Sequence, residues 1–191
     1  EYGELDGSIR VPASHSGLVG LKPARGRISM APAVVDFWYG GAIFFCLTRS
    51  VRDTAAYLDV VNGSLPGEPY VAPKPAVPFL EEASTPPGKL KIAVVTESPE
   101  GGTPLDSEVA VAVEATGKLL EELGHTVEPE PLPYDFWPLA DLYTRITALQ
   151  TAGWIDAMGG FVGRAPEQDE LAPLYWSMIE KARAISGIEH S

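Results

Sequence analysis

The chain has 191 residues, 45% of them hydrophobic and 21% charged, so it is long enough to bury a core and too apolar to be disordered. Its 14 Lys and Arg against 26 Asp and Glu give a net charge of −12, which repels phosphates and excludes nucleic acid as an expected partner. The single cysteine, Cys46, excludes an internal disulfide and a cysteine-built metal site, and favours a reducing, cytoplasmic location.

The first segment, residues 1–63, is rich in glycine and β-branched residues. Short apolar runs at 18–21 and 43–47 predict buried strands, and Cys46 is expected to be a small buried side chain there. A helix is predicted between Ser50 as its N-cap and Gly63 as the residue just beyond its end. The residues that share its apolar face are Val51, Ala55, Leu58 and Val61.

A proline-rich connector follows over residues 64–88, where seven prolines exclude a regular helix and predict extended chain. The next segment, residues 89–133, has the pattern of a strand at 89–95, a helix near 107–123 and a second strand after Gly124. This order predicts a parallel β-α-β unit with a right-handed crossover.

The last segment, residues 134–191, is predicted to be helical and contains many aromatic residues. Two helices are indicated by apolar residues at helical spacing: Leu139, Leu142, Ile146 and Leu149 in one, and Leu171, Leu174, Met178 and Ala182 in the other. We expect this segment to lie on the substrate side of a single partial domain that covers residues 1–191. No apolar stretch of about 18 residues is present, so no membrane span is predicted.

The most informative pattern is the run that begins with Gly-Ser-Ile-Arg at residues 7–10 and continues through Pro-Ala to Gly-Leu-Val-Gly-Leu-Lys-Pro at 17–23 and Gly-Arg at 26–27. A second block, Leu-Thr-Arg-Ser-Val-Arg-Asp-Thr-Ala-Ala, occupies residues 47–56. Together they closely resemble the serine-nucleophile region of the amidase signature family. The resemblance implies an α/β fold, in which helices cover both faces of a mixed β-sheet, and hydrolysis of a carboxamide without a cofactor or metal.

The resemblance also implies a triad of a lysine base, a serine with a cis peptide bond and a nucleophilic serine, which Ser8 matches. The other two members precede the nucleophile in the family, so no residue here matches them and the chain is expected to be an internal piece, inactive alone. Backbone N–H groups of Leu5, Asp6 and Gly7 are expected to form the oxyanion hole. Asp6 stands where the family has glycine, which indicates either an impaired site or a local deletion.

Several other residues near the motif have both a structural and a functional interpretation. An extended chain after Ser8 would carry His15 roughly 20 Å away, which argues against a catalytic histidine. Arg10 is expected to hold neighbouring loops by charge-assisted hydrogen bonds. An aromatic run is a candidate wall of a substrate pocket, with core packing as the alternative: Phe37, Trp38 and Tyr39.

The resemblance therefore predicts a hydrolase of a linear or cyclic amide, with a small-molecule amide as partner. Residues 27–65 look most like the bacterial branch that includes 6-aminohexanoate cyclic dimer hydrolases. One alternative is a non-catalytic, amidase-like scaffold, and another is an unrelated α/β domain, which gains support if residues 43–48 and 89–95 are not in one sheet. Uncovered apolar surface would favour association of the chain with itself.

Overall fold

The computed structural model describes residues 2–4, 7–32, 34 and 36–186. Within them the strands are β1 (Tyr2–Glu4), β2 (Val19–Gly20), β3 (Ile43–Phe45), β4 (Leu47–Thr48), β5 (Lys91–Val94) and β6 (Thr126–Pro129). The helices are α1 (Arg10–His15), α2 (Val51–Val61), α3 (Phe79–Glu82), α4 (Ser107–Glu122), α5 (Phe136–Val162) and α6 (Pro173–Ala184). The chain divides into two compact units, which are residues 1–86 with 153–165 and residues 87–152 with 166–191.

The strands form three two-stranded sheets among the described residues. β1 pairs antiparallel with β3, β2 pairs antiparallel with β4, and β5 pairs parallel with β6. The prediction of a mixed sheet requires both antiparallel and parallel pairs. Both kinds are present, but in separate sheets. Residues 43–48 and 89–95 do not share a sheet, because β3 and β4 pair with β1 and β2 and β5 pairs with β6.

The core of the first unit is built around Ile9, Phe45 and Leu58, of which Ile9 and Phe45 have almost no exposed surface. Successive side chains of a strand point to opposite faces, so Phe45 enters this core while Phe44 faces away from it. Cys46 and Phe79 pack against the same cluster as half-buried side chains. Cys46 is therefore a partly buried packing residue, close to what its apolar surroundings predict.

The segment after Ser8 is a helix and not the extended chain that we expected. The Val11 N–H donates to the Gly7 carbonyl over 2.7 Å, and the Ala13 N–H donates to the Ile9 carbonyl over 3.1 Å. Pro12 fits because it lies in the first turn of α1, where a missing N–H is tolerated. The extended prediction was wrong because this short helix has no long amphipathic pattern to reveal it.

Helix α2 begins as predicted, with the Ser50 hydroxyl accepting a hydrogen bond from the Asp53 N–H over 3.1 Å. Ala55 and Leu58 are buried, as their spacing predicts. Val51 is 62% exposed, so its assignment to the buried face was wrong. It is the first residue of α2, and Thr54 occupies the buried position one turn later.

The connector over residues 64–88 is largely extended, as its prolines predict, with turns or bends at 66–67, 76–77 and 83–85 and the single helical turn α3. This turn can form because no proline lies between Pro78 and Pro86. The Asp59 carboxylate fixes it by accepting hydrogen bonds from the backbone N–H groups of Phe79 and Leu80 over 2.7 and 3.0 Å. The connector is therefore tied to the first unit through the end of α2.

The second unit contains the predicted β-α-β element, with β5 and β6 parallel and α4 between them in the chain. The Asp106 carboxylate caps α4 by accepting from the Glu108 N–H over 2.8 Å. Gly124 follows the helix with a φ of +93°, a conformation that favours glycine. Both the start and the end of α4 lie within one or two residues of the positions predicted from sequence.

Helices α5 and α6 contain both predicted apolar patterns, but the buried faces differ from the expected ones. In α5 the buried residues are Thr147 and Ala148, whereas Leu139 and Leu142 are about half exposed. A regular spacing identifies a helix face, yet it does not say which face meets the neighbouring elements. Among the described residues, no helix has both the length and the hydropathy that crossing a bilayer requires.

Candidate active site

Ser8 lies on an exposed turn that leads directly into α1. The next residue, Ile9, has no exposed surface and packs in the core with Phe45 and Leu58. One buried side chain therefore anchors the turn while its neighbour remains at the surface. The hydroxyl of Ser8 is not in a packed interior, as a nucleophile must not be.

Two positions around the Ser8 turn and α1 require glycine, one for its backbone conformation and one for lack of space. Gly7 has a φ of +134°, and a Cβ atom there would lie 2.8 Å from the Cγ2 of Val11. A Cβ on Gly20 of β2 would lie 2.6 Å from the Cβ of Ala13 and 2.9 Å from the carbonyl oxygen of Ile9. The Gly20 backbone therefore packs directly on the first turn of α1, and only a residue without a side chain allows this approach.

The structure places Arg10 and His15, two other residues considered near the nucleophile, at opposite ends of α1. Arg10 is exposed as the first residue of α1, and His15 is exposed as the last. The helical rise from one to the other is roughly 7–8 Å, so His15 lies nearer to the turn than an extended chain would place it, although at the opposite end of the helix. Leu5 and Asp6, predicted to contribute to the oxyanion hole, lie outside the described residues.

The predicted aromatic run forms a tight turn. Trp38 and Tyr39 both have a φ of +54°, and Gly40 has a φ of +70°. The Gly41 N–H donates to the Trp38 carbonyl over 2.9 Å, which closes the turn. Left-handed backbone is rare for bulky residues, so the surrounding contacts must hold these two residues in place.

Phe37, Trp38, Phe44 and Trp154 form an aromatic cluster in the first unit. The ring of Phe37 stacks on that of Phe44 with centroids 5.4 Å apart, and it meets Trp154 edge-on at 6.3 Å and Trp38 edge-on at 5.9 Å. The sequence prediction named Phe37 and Trp38 but not Phe44 or Trp154. Alternation with Phe45 could have placed Phe44 outside the core, whereas nothing local connects Trp154 with residue 37.

Two cavities are lined by loop residues of the first unit, which is the unit that contains Ser8. The smaller, of about 20 Å³, has room for roughly one water and is lined in part by Phe37, Glu68 and Tyr70. The larger, of about 630 Å³, lies along the proline-rich connector and is lined in part by Asn62 and Lys74. Phe37 of the aromatic run lines the smaller cavity. Ser8 lines neither of the two cavities.

The main electrostatic feature of these loops is the Glu68 carboxylate. Its Oε2 accepts from the Leu65 N–H over 2.5 Å, and its Oε1 accepts from the Ser29 hydroxyl over 2.9 Å. The hydrogen bond from Leu65, together with that from Ser29, lowers the pKa of Glu68 below its ordinary value of 4.5, since both favour the charged form. The bond from Ser29 holds the connector against the loop that follows the motif, and the bond from Leu65 lies within the connector. No cluster of metal-ligating side chains is found among the described residues.

Comparison with known proteins gives consistent matches. A family model described as Amidase matches residues 3–181. The chain is 40% identical over 186 residues to a 6-aminohexanoate-cyclic-dimer hydrolase of Paenarthrobacter ureafaciens, a match that covers 95% of this chain and 37% of that enzyme. The solved structure of a 6-aminohexanoate cyclic dimer hydrolase complexed with substrate is similar at a TM-score of 0.87 and 36% identity, covering 98% of this chain and 39% of that one.

A bacterial aryl acylamidase of the amidase signature enzymes, at 22% identity, shares the fold with a TM-score of 0.80 over 98% of this chain and 39% of that one. The chain thus has the fold of a segment of these enzymes and spans less than two fifths of their length. Matches over nearly the whole chain exclude a chance resemblance confined to the motif. They stand against the alternative of an unrelated α/β domain, although the strands do not form the single sheet expected.

Proposed function

The chain belongs to the amidase signature family, and on that premise we propose that it supplies the nucleophile segment of an enzyme that hydrolyses a carboxamide bond. Ser8 is the nucleophile. The observation that carries this proposal is its position in the Gly-Ser-Ile-Arg motif on an exposed turn, anchored on one side by the fully buried Ile9. Such a turn presents a hydroxyl to a substrate while the core fixes its backbone.

The reaction proceeds in two steps. The Oγ of Ser8 attacks the carbonyl carbon, its proton passes through the base to the nitrogen, and the C–N bond breaks to release ammonia or an amine. Water then attacks the ester carbon, its hydroxyl joins the acyl group, its other proton passes through the base to the Oγ of Ser8, and the C–Oγ bond breaks to release the carboxylic acid. Backbone N–H groups of Leu5, Asp6 and Gly7 are the proposed donors to the oxyanion.

The proposed substrate is a linear or cyclic aliphatic amide. Support comes from the relatives named for a cyclic aliphatic amide and from the uncharged rings of Phe37, Trp38 and Tyr39, which suit an apolar acyl group. Tyr39 is about 44% exposed and Phe37 half-buried, so part of this aromatic surface remains open to a ligand. No cofactor takes part in the proposed reaction.

We expect the 191-residue chain to be inactive by itself. The resemblance matches Ser8 to the family's nucleophile and matches no residue of this chain to the family's lysine base or cis serine. We place the parent enzyme in the cytoplasm, where the lone thiol of Cys46 stays reduced. Half-exposed leucines such as Leu119 and Leu142 favour association of the chain with itself, which sedimentation velocity would measure.

Labelling with a fluorophosphonate probe tests the proposal. We expect the isolated chain not to react and the same chain within the complete product of its gene to be labelled at Ser8. Ser8→Ala should abolish the label, whereas Ser14→Ala, which removes an exposed hydroxyl within α1, should leave it unchanged. Absence of label in the complete protein, or a label that persists in Ser8→Ala, would support a non-catalytic scaffold instead.

A further inference from the structure

The larger cavity of the first unit, of about 630 Å³, lies between the end of α2 and the proline-rich connector. One wall comes from residues 59–64, at the end of α2 and just beyond it, and the other wall comes from the connector at 71–78. A volume of this size is typical of pockets that bind small molecules. Ser8 does not line the cavity, so a ligand there would be separate from the proposed reaction.

Hydrogen bonds fix the two walls relative to each other, so the cavity is formed before a ligand arrives. The Nη1 of Arg27 donates to the Asn62 Oδ1 over 3.1 Å in one wall and to the Pro73 carbonyl over 2.7 Å in the connector. The Asp59 carboxylate, in the α2 wall, accepts from two backbone N–H groups at the start of α3, where the connector wall ends. A preformed site spares a ligand the free-energy cost of ordering the chain around it.

The charges at this cavity favour an anion, although the whole chain has a net charge of −12. Lys74 is an exposed lining residue, and its ammonium group has no ion-pair partner among the described residues. Arg27 is half-buried, and its guanidinium contacts only neutral groups, which are two oxygens and the ring of Phe79 at 5.4 Å. Asp59 is the one carboxylate among the described lining residues, and both of its oxygens already accept N–H groups. Two positive charges are therefore balanced by a single negative charge.

The two walls differ in their chemistry. In the α2 wall, the Oδ1 of Asn62 is occupied by Arg27, so the Nδ2 of Asn62 and the hydroxyl of Ser64 are donors that remain for a ligand. Apart from Lys74, the connector wall is apolar, and its members are Val71, Ala72, Pro75, Ala76, Val77 and Pro78. The lining thus combines spare donors and a positive charge with an apolar surface.

We propose that this cavity binds a small aliphatic monocarboxylate, whose carboxylate pairs with the ammonium group of Lys74. The same carboxylate accepts hydrogen bonds from Asn62 Nδ2 and from the Ser64 hydroxyl, while its hydrocarbon chain lies along the apolar connector wall. Arg27 is a positioning residue, because it joins the two walls and adds positive charge beside them. The inference goes beyond the proposed function, since the site needs neither Ser8 nor an amide.

The test is an NMR titration of the backbone amide signals of the 191-residue chain with valerate, valeramide, acetate and inorganic phosphate, each added separately. We expect valerate to move the signals of Gly63, Ser64 and Ala72 saturably, at concentrations on the order of 1 mM, while those of β5 and β6 stay still. Valeramide should bind about threefold more weakly because it lacks the charge. Acetate should bind about tenfold more weakly because it lacks three methylene groups, and phosphate should be weaker than valerate for the same reason.

Two pairs of variants locate the binding. Lys74→Gln should weaken valerate binding about threefold, whereas Lys89→Gln, at an exposed lysine of the second unit, should leave it unchanged. Ala76→Glu should weaken it more than Ala76→Gln, because the two new side chains have similar size and only the glutamate is charged.

Four results would overturn the inference: no saturable movement at the cavity, valeramide that binds as well as valerate, phosphate that binds as well as valerate, or binding unchanged in Lys74→Gln. The readout does not involve Ser8. Valerate binding combined with no fluorophosphonate label in the complete protein would keep the carboxylate site and remove the nucleophile. The opposite combination would keep the nucleophile and remove the carboxylate site.

Discussion

The two units of the chain bury their apolar residues differently. In the first, Ile9, Phe45 and Leu58 form a closed cluster that includes the residue after the candidate nucleophile. In the second, the helices bury Ala148, Ile179 and Ala182, while leucines such as Leu142 remain half exposed. The described residues of the motif region therefore pack around a cluster of large apolar side chains, whereas the second unit's helices bury fewer large side chains and leave several leucines half exposed.

The largest effect expected from this difference is on the free energy of unfolding. Ile9→Ala removes a fully buried side chain and should cost about 2–5 kcal/mol, because it loses transfer free energy and leaves a cavity. Leu142→Ala is the matched change on a half-exposed helical residue and should stay within about 0.5 kcal/mol. Urea denaturation measures both. Equal losses would mean that the two units are packed alike.

Two glycine substitutions, one in each unit, are expected to change the free energy of unfolding in opposite directions. Gly20→Ala should destabilise by about 1–3 kcal/mol, because its Cβ would lie within 3 Å of Ala13 and Ile9. Gly117→Ala in α4 should stabilise by about 0.5–1 kcal/mol, since its Cβ would make ordinary contacts of 3.5 and 3.6 Å with Val94 and Val127. Thermal unfolding of the two variants decides the signs, and a stabilised Gly20→Ala would show that α1 and β2 do not meet closely.

The smallest effect concerns the connector and depends on pH. The pKa of Glu68 is lowered in the folded chain, so its contribution to stability is complete above its ordinary value of 4.5 and is lost as pH falls through the lower folded value. Glu68→Gln should therefore be less stable than the wild type at pH 7, with a difference that shrinks below pH 4.5. Ser29→Ala removes one donor and keeps the carboxylate, so it should retain part of the pH dependence. A difference that does not change with pH would contradict the role given to the carboxylate.

Local signals in the sequence predicted a large part of the fold. Ser50 and Gly124 mark helix boundaries through backbone hydrogen bonding and glycine's conformational freedom, and both act where the sequence placed them. The parallel pairing of β5 and β6 followed from element order, because a helix between two strands favours a crossover. These features depend on neighbours in the chain, which a sequence displays directly.

Features that depend on distant partners could not be predicted. The close approach of Gly20 to α1 and the contact of Trp154 with Phe37 join residues whose proximity no local pattern encodes. Helix α1 was missed because six residues are too few for a periodicity. At the candidate site the motif predicts Ser8 as the nucleophile and the aromatic run predicts a pocket wall, and both remain predictions, while the stacking of Phe37 on Phe44 has no local sequence signal.

The central claim is that the hydroxyl of Ser8 forms the covalent intermediate. Acid quenching of the complete protein during turnover of an aliphatic amide, followed by peptide mass spectrometry, measures this directly. We expect the peptide that contains Ser8 to gain the mass of the acyl group and to lose it in Ser8→Ala together with activity. Turnover that continues without an acyl group on Ser8, or an acyl group on another residue, would contradict the account.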